Sequence, residues 1–181
     1  MGYNILAYNS NGFKNNSEGN WIIPLSSTGT GVGVSTLKLT VAETTTMHIT
    51  GNGKFYTDAA GTLGESTIAT ITSGSTRTFY LKLTTGNCNI IIYRGNSCVT
   101  RWDEWTSSTN AASINLMNLS SLPAVMTYFV CYGNNTIIGN LSSLPAVMTY
   151  FVCYGNNTVT GNISSLPSVM TVFACGGNNT V

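Results

Sequence analysis

The sequence predicts a mainly β protein, in which a small β-sandwich is followed by a parallel-β solenoid of 22-residue period. Thr, Ser, Asn and Gly crowd the chain, whereas charged residues make up only 7%, against roughly 25% in typical soluble domains. The first half contains short alternating segments between turn residues, and the last third contains a tandem repeat. These features favour strands and turns over helices.

The tandem repeat is the strongest of these signals. Residues 118–137 (NLSSLPAVMTYFVCYGNNTI) recur at 140–159 with only the final residue changed, and residues 162–181 form a diverged third copy. One copy cannot bury its apolar face alone, but a stack of copies can. We therefore expect successive copies to place parallel strands side by side, about 4.8 Å apart.

Each copy contains the pattern apolar-x-x-apolar-x-apolar-x-x-Asn. The predicted core positions are Met126, Phe129, Cys131, Asn134, Met148, Phe151, Cys153, Asn156, Met170, Phe173, Cys175 and Asn178. Because side chains alternate along a strand, Phe129 and Cys131 share one side, which we expect to be the interior. Asn134 follows in a turn, where its amide is expected to satisfy backbone groups of adjacent copies. The recurring cysteines are expected to be small buried hydrophobes rather than metal ligands, since zinc sites use paired, short-spaced ligands.

This pattern resembles the leucine-rich-repeat core L-x-x-L-x-L-x-x-N, with Met, Phe and Cys replacing the leucines. The Leu-Pro pair that begins at Leu122 and recurs in both later copies also fits that family. Thr136 and its equivalents depart from the family, which usually has another leucine there. We expect Ile137 to supply that apolar contact one residue later.

The opposite face of the same strands is the candidate binding face. It consists of Tyr128, Val130, Tyr132, Tyr150, Val152 and Tyr154. Repeated tyrosines are expected to stack in columns that offer rigid contact area with polar tips. The alternative is that tyrosine simply favours exposed strand positions. Because the third copy has Val172 and Gly176 instead, the face is expected to centre on the first two copies.

We divide the chain into three parts. Residues 1–30 show no periodicity and are interpreted as an N-terminal arm or attachment segment, or alternatively as an edge strand with loops of the sandwich. Residues 31–87 are assigned to the sandwich, and residues 88–181 to the leucine-rich-repeat solenoid. The strands predicted in the sandwich are 36–43, 46–51, 54–58, 66–73 and 77–85.

An atypical first repeat unit is predicted upstream of the three copies. Residues 88–99 (CNIIIYRGNSCV) align with MTYFVCYGNNTI, which places Ile91 at the Phe129 position. Residues 100–117 then form an insertion, with a short helix expected from Ser107 onward. At the other end the repeats reach Val181 without a cap, so we expect the native chain to continue past residue 181 or a neighbouring subunit to cover the last strand.

The sequence indicates no enzyme. His48 is the single histidine and lies in an alternating segment, so we expect no Ser-His-Asp set. Asp103 and Glu104 are adjacent and would face opposite ways in extended chain, and we interpret them as solvated loop charges. We therefore predict no catalytic residue, no metal ligand and no cofactor. A net charge of +1 without a Lys/Arg cluster argues against nucleic-acid binding, and the lack of a long apolar run argues against membrane insertion.

A sandwich combined with Thr/Asn/Ser-rich repeats resembles the head-fibre or tail-fibre proteins of Bacteroidetes phages, including crAss-like phages. The resemblance implies a virion protein assembled in the host cytoplasm. It implies a homo-oligomer, with a trimer favoured, bound to capsid or tail proteins. The repeats would face a glycan or protein on the host surface. The alternatives are a leucine-rich-repeat adhesin at the bacterial cell surface and a glycan-binding accessory module of a larger enzyme.

Overall fold

A computed structural model describes residues 19–27, 33–84, 86–107 and 111–181, and this part of the chain is mainly β. Its strands are β1 (Trp21–Ser27), β2 (Ser35–Val41), β3 (Thr45–Ile49), β4 (Gly53–Tyr56), β5 (Ile68–Ile71), β6 (Thr76–Leu83), β7 (Gly86–Ile92), β8 (Val99–Ser107), β9 (Ser113–Ile114), β10 (Met117–Asn118), β11 (Tyr128–Cys131), β12 (Ile137–Asn140), β13 (Tyr150–Thr160) and β14 (Val172–Gly177). One helical turn, α1 (Gly95–Cys98), precedes β8, and three 3-10 turns lie at Leu119–Ser121, Leu141–Ser143 and Ile163–Ser165.

The strands form two sheets. One has the order β5-β3-β7-β1-β9 and is antiparallel throughout. The other runs β10-β12-β13-β11-β8-β2-β6-β4, with β14 added beside β13. Apolar residues alternate with polar ones in β2 and β3, so each of these strands buries one face. Buried apolar residues from both sheets form one continuous core cluster.

The strands predicted at 36–43, 46–51, 54–58, 66–73 and 77–85 are confirmed as β2 to β6, to within two residues at each end. Two other expectations differ from the structure. The predicted boundary between residues 87 and 88 falls inside β7. The predicted segment 1–30 contains β1, which lies between β7 and β9 and is almost wholly buried; residues 1–18 and 28–30 of that segment lie outside the described residues.

Strand β8 joins the antiparallel and parallel parts of the larger sheet. It pairs antiparallel with β2 on one side and parallel with β11 on the other. From β11 onward the neighbouring strands of the repeats are parallel and in register, with Phe129 beside Phe151 and Phe151 beside Phe173. A second parallel ladder joins β10, β12 and the C-terminal end of β13.

Strand β8 pairs with the first strand of the three copies, and the expectation that residues 88–99 supply this strand is wrong. Strand β7 pairs antiparallel with β1 and β3 instead. Trp102 of β8 is the register partner of Phe129, the position we had assigned to Ile91. The indole ring of Trp102 accounts for this pairing, because it extends the interior stack of phenylalanine rings by one member. Residues 111–118 contain β9 and β10 where we expected a helix, and residues 108–110 lie outside the described part.

An aromatic column runs through the interior of the repeats. The rings of Phe129 and Phe151 stack at 5.4 Å, and those of Phe151 and Phe173 at 5.9 Å. Trp102 stacks on Phe129 at 6.2 Å, and Trp21 of the other sheet meets Trp102 edge-on at 5.2 Å. Offset and edge-on ring pairs stabilise a core beyond their area burial. The two sheets are therefore joined by a continuous aromatic contact.

The same capped turn begins each of the three copies. Asn118 caps the 3-10 turn Leu119–Ser121 by accepting from the Ser120 backbone N–H, and its equivalents in the other two copies do the same. The Leu-Pro pair that follows ends this turn, since proline cannot donate to a continued helix. None of the helices in the described part of the chain is long and apolar enough to cross a membrane.

Candidate binding face

The predicted core residues of the first two copies lie in the interior. Met126, Phe129 and Cys131 have no exposed surface, and neither have Met148, Phe151 and Cys153. In the third copy Met170, Phe173 and Cys175 are half-buried. Among the described strands β14 pairs only with β13, so within the described residues these side chains are covered from one side.

The predicted asparagines are wrong by one residue. Asn134, Asn156 and Asn178 are exposed, whereas the second asparagine of each pair turns inward. The alternation of the strand explains this, because Asn134 lies an odd number of residues from the inward Cys131 and Asn135 an even number. Asn135 and its equivalent Asn157 are fully buried.

The buried asparagines form a ladder between repeats. The side-chain oxygens of Asn135, Asn157 and Asn179 accept from the backbone N–H of Ile114 (2.9 Å), Ile137 (3.1 Å) and Val159 (2.9 Å), respectively. Their amide groups donate to the carbonyls of Tyr132, Gly176 and Cys175. Each amide thus satisfies backbone groups that would be costly to bury unpaired.

A threonine file was missed by the sequence analysis. The hydroxyls of Thr127, Thr149 and Thr171 donate to the carbonyls of Thr100, Thr127 and Thr149, at 3.2, 3.0 and 2.8 Å. The backbone N–H of each threonine donates to the same carbonyl. The sequence contains a signal for this column of threonines, because the pattern Thr-x-aromatic occurs both at Thr100–Trp102 and at Thr127–Phe129.

The candidate binding face carries two tyrosine columns. Tyr128 and Tyr150 stack at 4.3 Å with 13° between their planes, and Tyr132 and Tyr154 stack at 5.6 Å with 7°. The second column ends on Gly176, where an added Cβ would lie 2.5 Å from the Tyr154 ring. Because the third copy has glycine instead of tyrosine here, the Tyr154 ring packs directly on the Gly176 backbone.

The face is not uniformly exposed. Tyr132 is 40% exposed and Tyr154 is 46% exposed, whereas Val130 and Val152 are each only 5% exposed. Tyr128 and Tyr150 are half-buried. The two valines were predicted as part of the contact surface, but they are buried at the strand position between the two tyrosine columns. The accessible part of the face is therefore made of tyrosine.

Charged residues of β8 border the first column. The guanidinium carbon of Arg101 lies 4.0 Å from the centre of the Tyr128 ring, a cation–π contact. Arg101 also pairs with Asp103 at 2.7 Å. Burial is the main cause that raises the pKa of Tyr128, and the Tyr128–Tyr150 hydrogen bond adds to it. The hydroxyl is therefore a neutral donor at physiological pH.

Asp103 and Glu104 are strand residues, and their assignment as loop charges is wrong. A register shift between Lys38 and Leu39 of β2 lets Trp102 and Trp105 both point inward, so the two acids between them lie outward. Asp103 accepts from Thr40 at 2.9 Å in addition to Arg101, and Glu104 forms an ion pair with Lys38. Both carboxylates are therefore engaged in structural contacts.

His48 and the cysteines are the remaining side chains with chemistry to consider. His48 makes an edge-on contact with the Tyr93 ring at 4.9 Å. Within the described ranges, no three His, Cys, Asp or Glu side chains are grouped as metal ligands would be. The buried thiols of Cys88 and Cys131 have raised pKa values, to about 12 for Cys88, because burial disfavours the thiolate.

The chain matches no protein-family model, and neither the curated proteins nor the solved structures include one with significant similarity to it.

Proposed function

We propose that this chain is a non-enzymatic structural and adhesion protein, and specifically a fibre component of a phage virion. The observation that carries the adhesion part is the pair of stacked tyrosine columns, whose accessible members are Tyr132 and Tyr154. Tyrosine provides large contact area at low conformational cost and is enriched in interfaces. The virion part rests on the resemblance of a sandwich followed by Thr/Asn/Ser-rich repeats to phage fibre proteins.

For the architecture we propose a β-sandwich followed by a leucine-rich-repeat solenoid. Two sheets that contribute to one core support the sandwich. The solenoid is supported by the in-register parallel strands of the three copies and by the asparagine ladder between them. In this architecture β8 is the first solenoid strand, and the stack directs the tyrosine columns along one side.

The ring geometry favours a protein partner over a sugar. Tyr128 and Tyr150 cover each other's ring faces, and Arg101 occupies the remaining face of Tyr128. Tyr132 and Tyr154 are likewise stacked on each other. The ring planes between stacked tyrosines are therefore covered, and the ring edges and hydroxyl groups are left to make contacts. Such a surface suits a flat protein contact with hydrogen bonds at its rim.

In the proposed fibre, the N-terminal segment or the sandwich binds capsid or tail proteins and the repeats face the host. Fibres of this kind imply assembly in the host cytoplasm as a homotrimer. Sedimentation equilibrium of the purified chain tests the assembly: a mass three times the 19.2 kDa of one chain is expected. A monomer at micromolar concentration contradicts the fibre assignment.

The adhesion part is tested separately, by flow cytometry of the labelled chain on a panel of Bacteroidetes strains before and after protease treatment of the cells. We expect saturable binding to some strains that protease removes. The double variant Tyr132→Ala/Tyr154→Ala should lose it. Tyr80→Ala, in β6 and outside the columns, is the matched control and should bind normally. Equal binding by both variants contradicts the assigned face.

A further inference from the structure

The last two repeats bring two thiols together. Cys153 of β13 and Cys175 of β14 are register partners on parallel strands, and their sulfur atoms lie 3.0 Å apart. Both are free thiols; Cys153 is buried and Cys175 is half-buried. This contact is independent of the tyrosine face, because the cysteines lie on the interior side of the strands.

The backbone geometry is compatible with a covalent link between them. Neighbouring strands lie about 4.8 Å apart, and the Cα atoms of a disulfide are usually about 4.4–6.8 Å apart. Register partners on parallel strands also direct their side chains to the same face. The sulfur atoms therefore need only a small approach to bond, with the strands remaining in place.

The pKa values of the two thiols are shifted in opposite directions. The hydrogen bond from Cys153 lowers the pKa of Cys175, and a contact with Asn179 lowers it further against the opposing effect of burial. The same Cys153–Cys175 bond, together with burial, raises the pKa of Cys153. Since the thiolate is the nucleophile in disulfide exchange, Cys175, the less buried of the two thiols, is the group that reacts first.

We propose that Cys153 and Cys175 are a redox-active pair that forms a disulfide by exchange with a low-molecular-weight disulfide such as oxidised glutathione. The Cys175 thiolate attacks one glutathione sulfur, which forms a mixed disulfide and releases one glutathione thiolate. The Cys153 sulfur then attacks the Cys175 sulfur and displaces the second glutathione. The two protein protons end on the two released thiols, so the pair is oxidised by two electrons and the glutathione disulfide is reduced.

The consequence is a covalent tie between the second and third copies. Strand β14 is otherwise held only by its pairing with β13 among the described strands. The disulfide would fix this edge strand under oxidising conditions and release it under reducing ones. Cys131, the equivalent residue of the first copy, is fully buried and is the matched control.

The test is to incubate the folded full chain with oxidised glutathione, quench in acid and count thiols with Ellman's reagent after denaturation. The count should fall from five to three. Peptic digestion at acidic pH should yield a peptide pair joining Cys153 to Cys175, since Leu166 lies between them as a cleavage site. Retention of all five thiols, or a link between other cysteines, overturns the proposal.

Single variants separate the two steps. Cys153→Ser should stop at a glutathione adduct on Cys175, visible by intact mass. Cys175→Ser should keep all of its remaining thiols, and Cys131→Ser should still lose two. Because Cys175 is half-exposed, its variant is expected to fold, which circular dichroism checks. A Cys175→Ser protein that loses thiols as fast as the wild type contradicts the assigned order.

Discussion

The asparagine ladder allows a sharp test of how the repeats are held together. Asn157 has no exposed surface. Its side-chain oxygen accepts from the Ile137 N–H at 3.1 Å, and its amide donates to the Gly176 carbonyl at 2.8 Å. Asn157→Ala removes both bonds while leaving the backbone of both neighbouring repeats in place.

The expected loss follows from the two groups left unpaired. An unsatisfied buried backbone group costs about 1–3 kcal/mol. The Ile137 N–H is fully buried and carries that cost in full, whereas the Gly176 carbonyl is half-buried and water can partly replace the lost donor. Asn157→Ala should therefore lower the free energy of unfolding by about 2–4 kcal/mol.

Equilibrium urea unfolding followed by tryptophan fluorescence measures this change, because Trp102 begins the aromatic column of the repeats. Asn156→Ala is the matched control: the residue is adjacent and exposed, so its change should stay within about 0.5 kcal/mol. Equal losses in the two variants, or a larger loss at Asn156, would refute the inward orientation of the second asparagine.

Three other predictions concern the core, the face and pH. Phe151→Ala should destabilise by about 3–5 kcal/mol in the same urea assay, since it interrupts a stack between Phe129 and Phe173; a loss under about 1 kcal/mol would place that ring outside. Tyr132→Ala should change the unfolding free energy by at most about 1 kcal/mol because the ring is 40% exposed, and a core-sized loss contradicts the face. Burial raises the pKa of Cys88 from 9.0 to about 12. The free energy of unfolding that depends on this neutral buried thiol is therefore intact below pH 9 and falls between pH 9 and 12, by about 1.4 kcal/mol per pH unit. Cys88→Ala should make that alkaline loss shallower, and an unchanged slope in pH-dependent unfolding would count against the burial effect.

The local pattern was enough to predict most strands. Polar and apolar residues alternate in β2 and β3, and this period of two is a property of the extended backbone itself. The inward position of Phe129 and Cys131 follows from the same alternation, and the tandem copies imply identical environments. The outward tyrosines were predictable for this reason, whereas the burial of Val130 was not, because it shares their side of the strand and alternation alone predicts it to be exposed.

The asparagine assignment was wrong because it followed the spacing of the leucine-rich-repeat pattern instead of the alternation of the strand. Asn135 lies an even number of residues from Cys131 and Asn134 an odd number, so alternation alone indicates the second asparagine. The backbone N–H groups of the preceding repeat, such as that of Ile137, then hold the inward amide of Asn157.

The β class, the period and the inward column of Met, Phe and Cys could be read from the amino-acid sequence, because they depend on local alternation and on near-identical copies. Which strand begins the repeats depends on long-range contacts, since both β7 and β8 have strand-forming sequences. The partners are distant in the chain: β7 pairs with β1 and β3, whereas Trp102 of β8 stacks on Phe129. The contact between the Cys153 and Cys175 sulfurs likewise depends on tertiary packing, because side-chain distances across a sheet are set by two neighbouring repeats together.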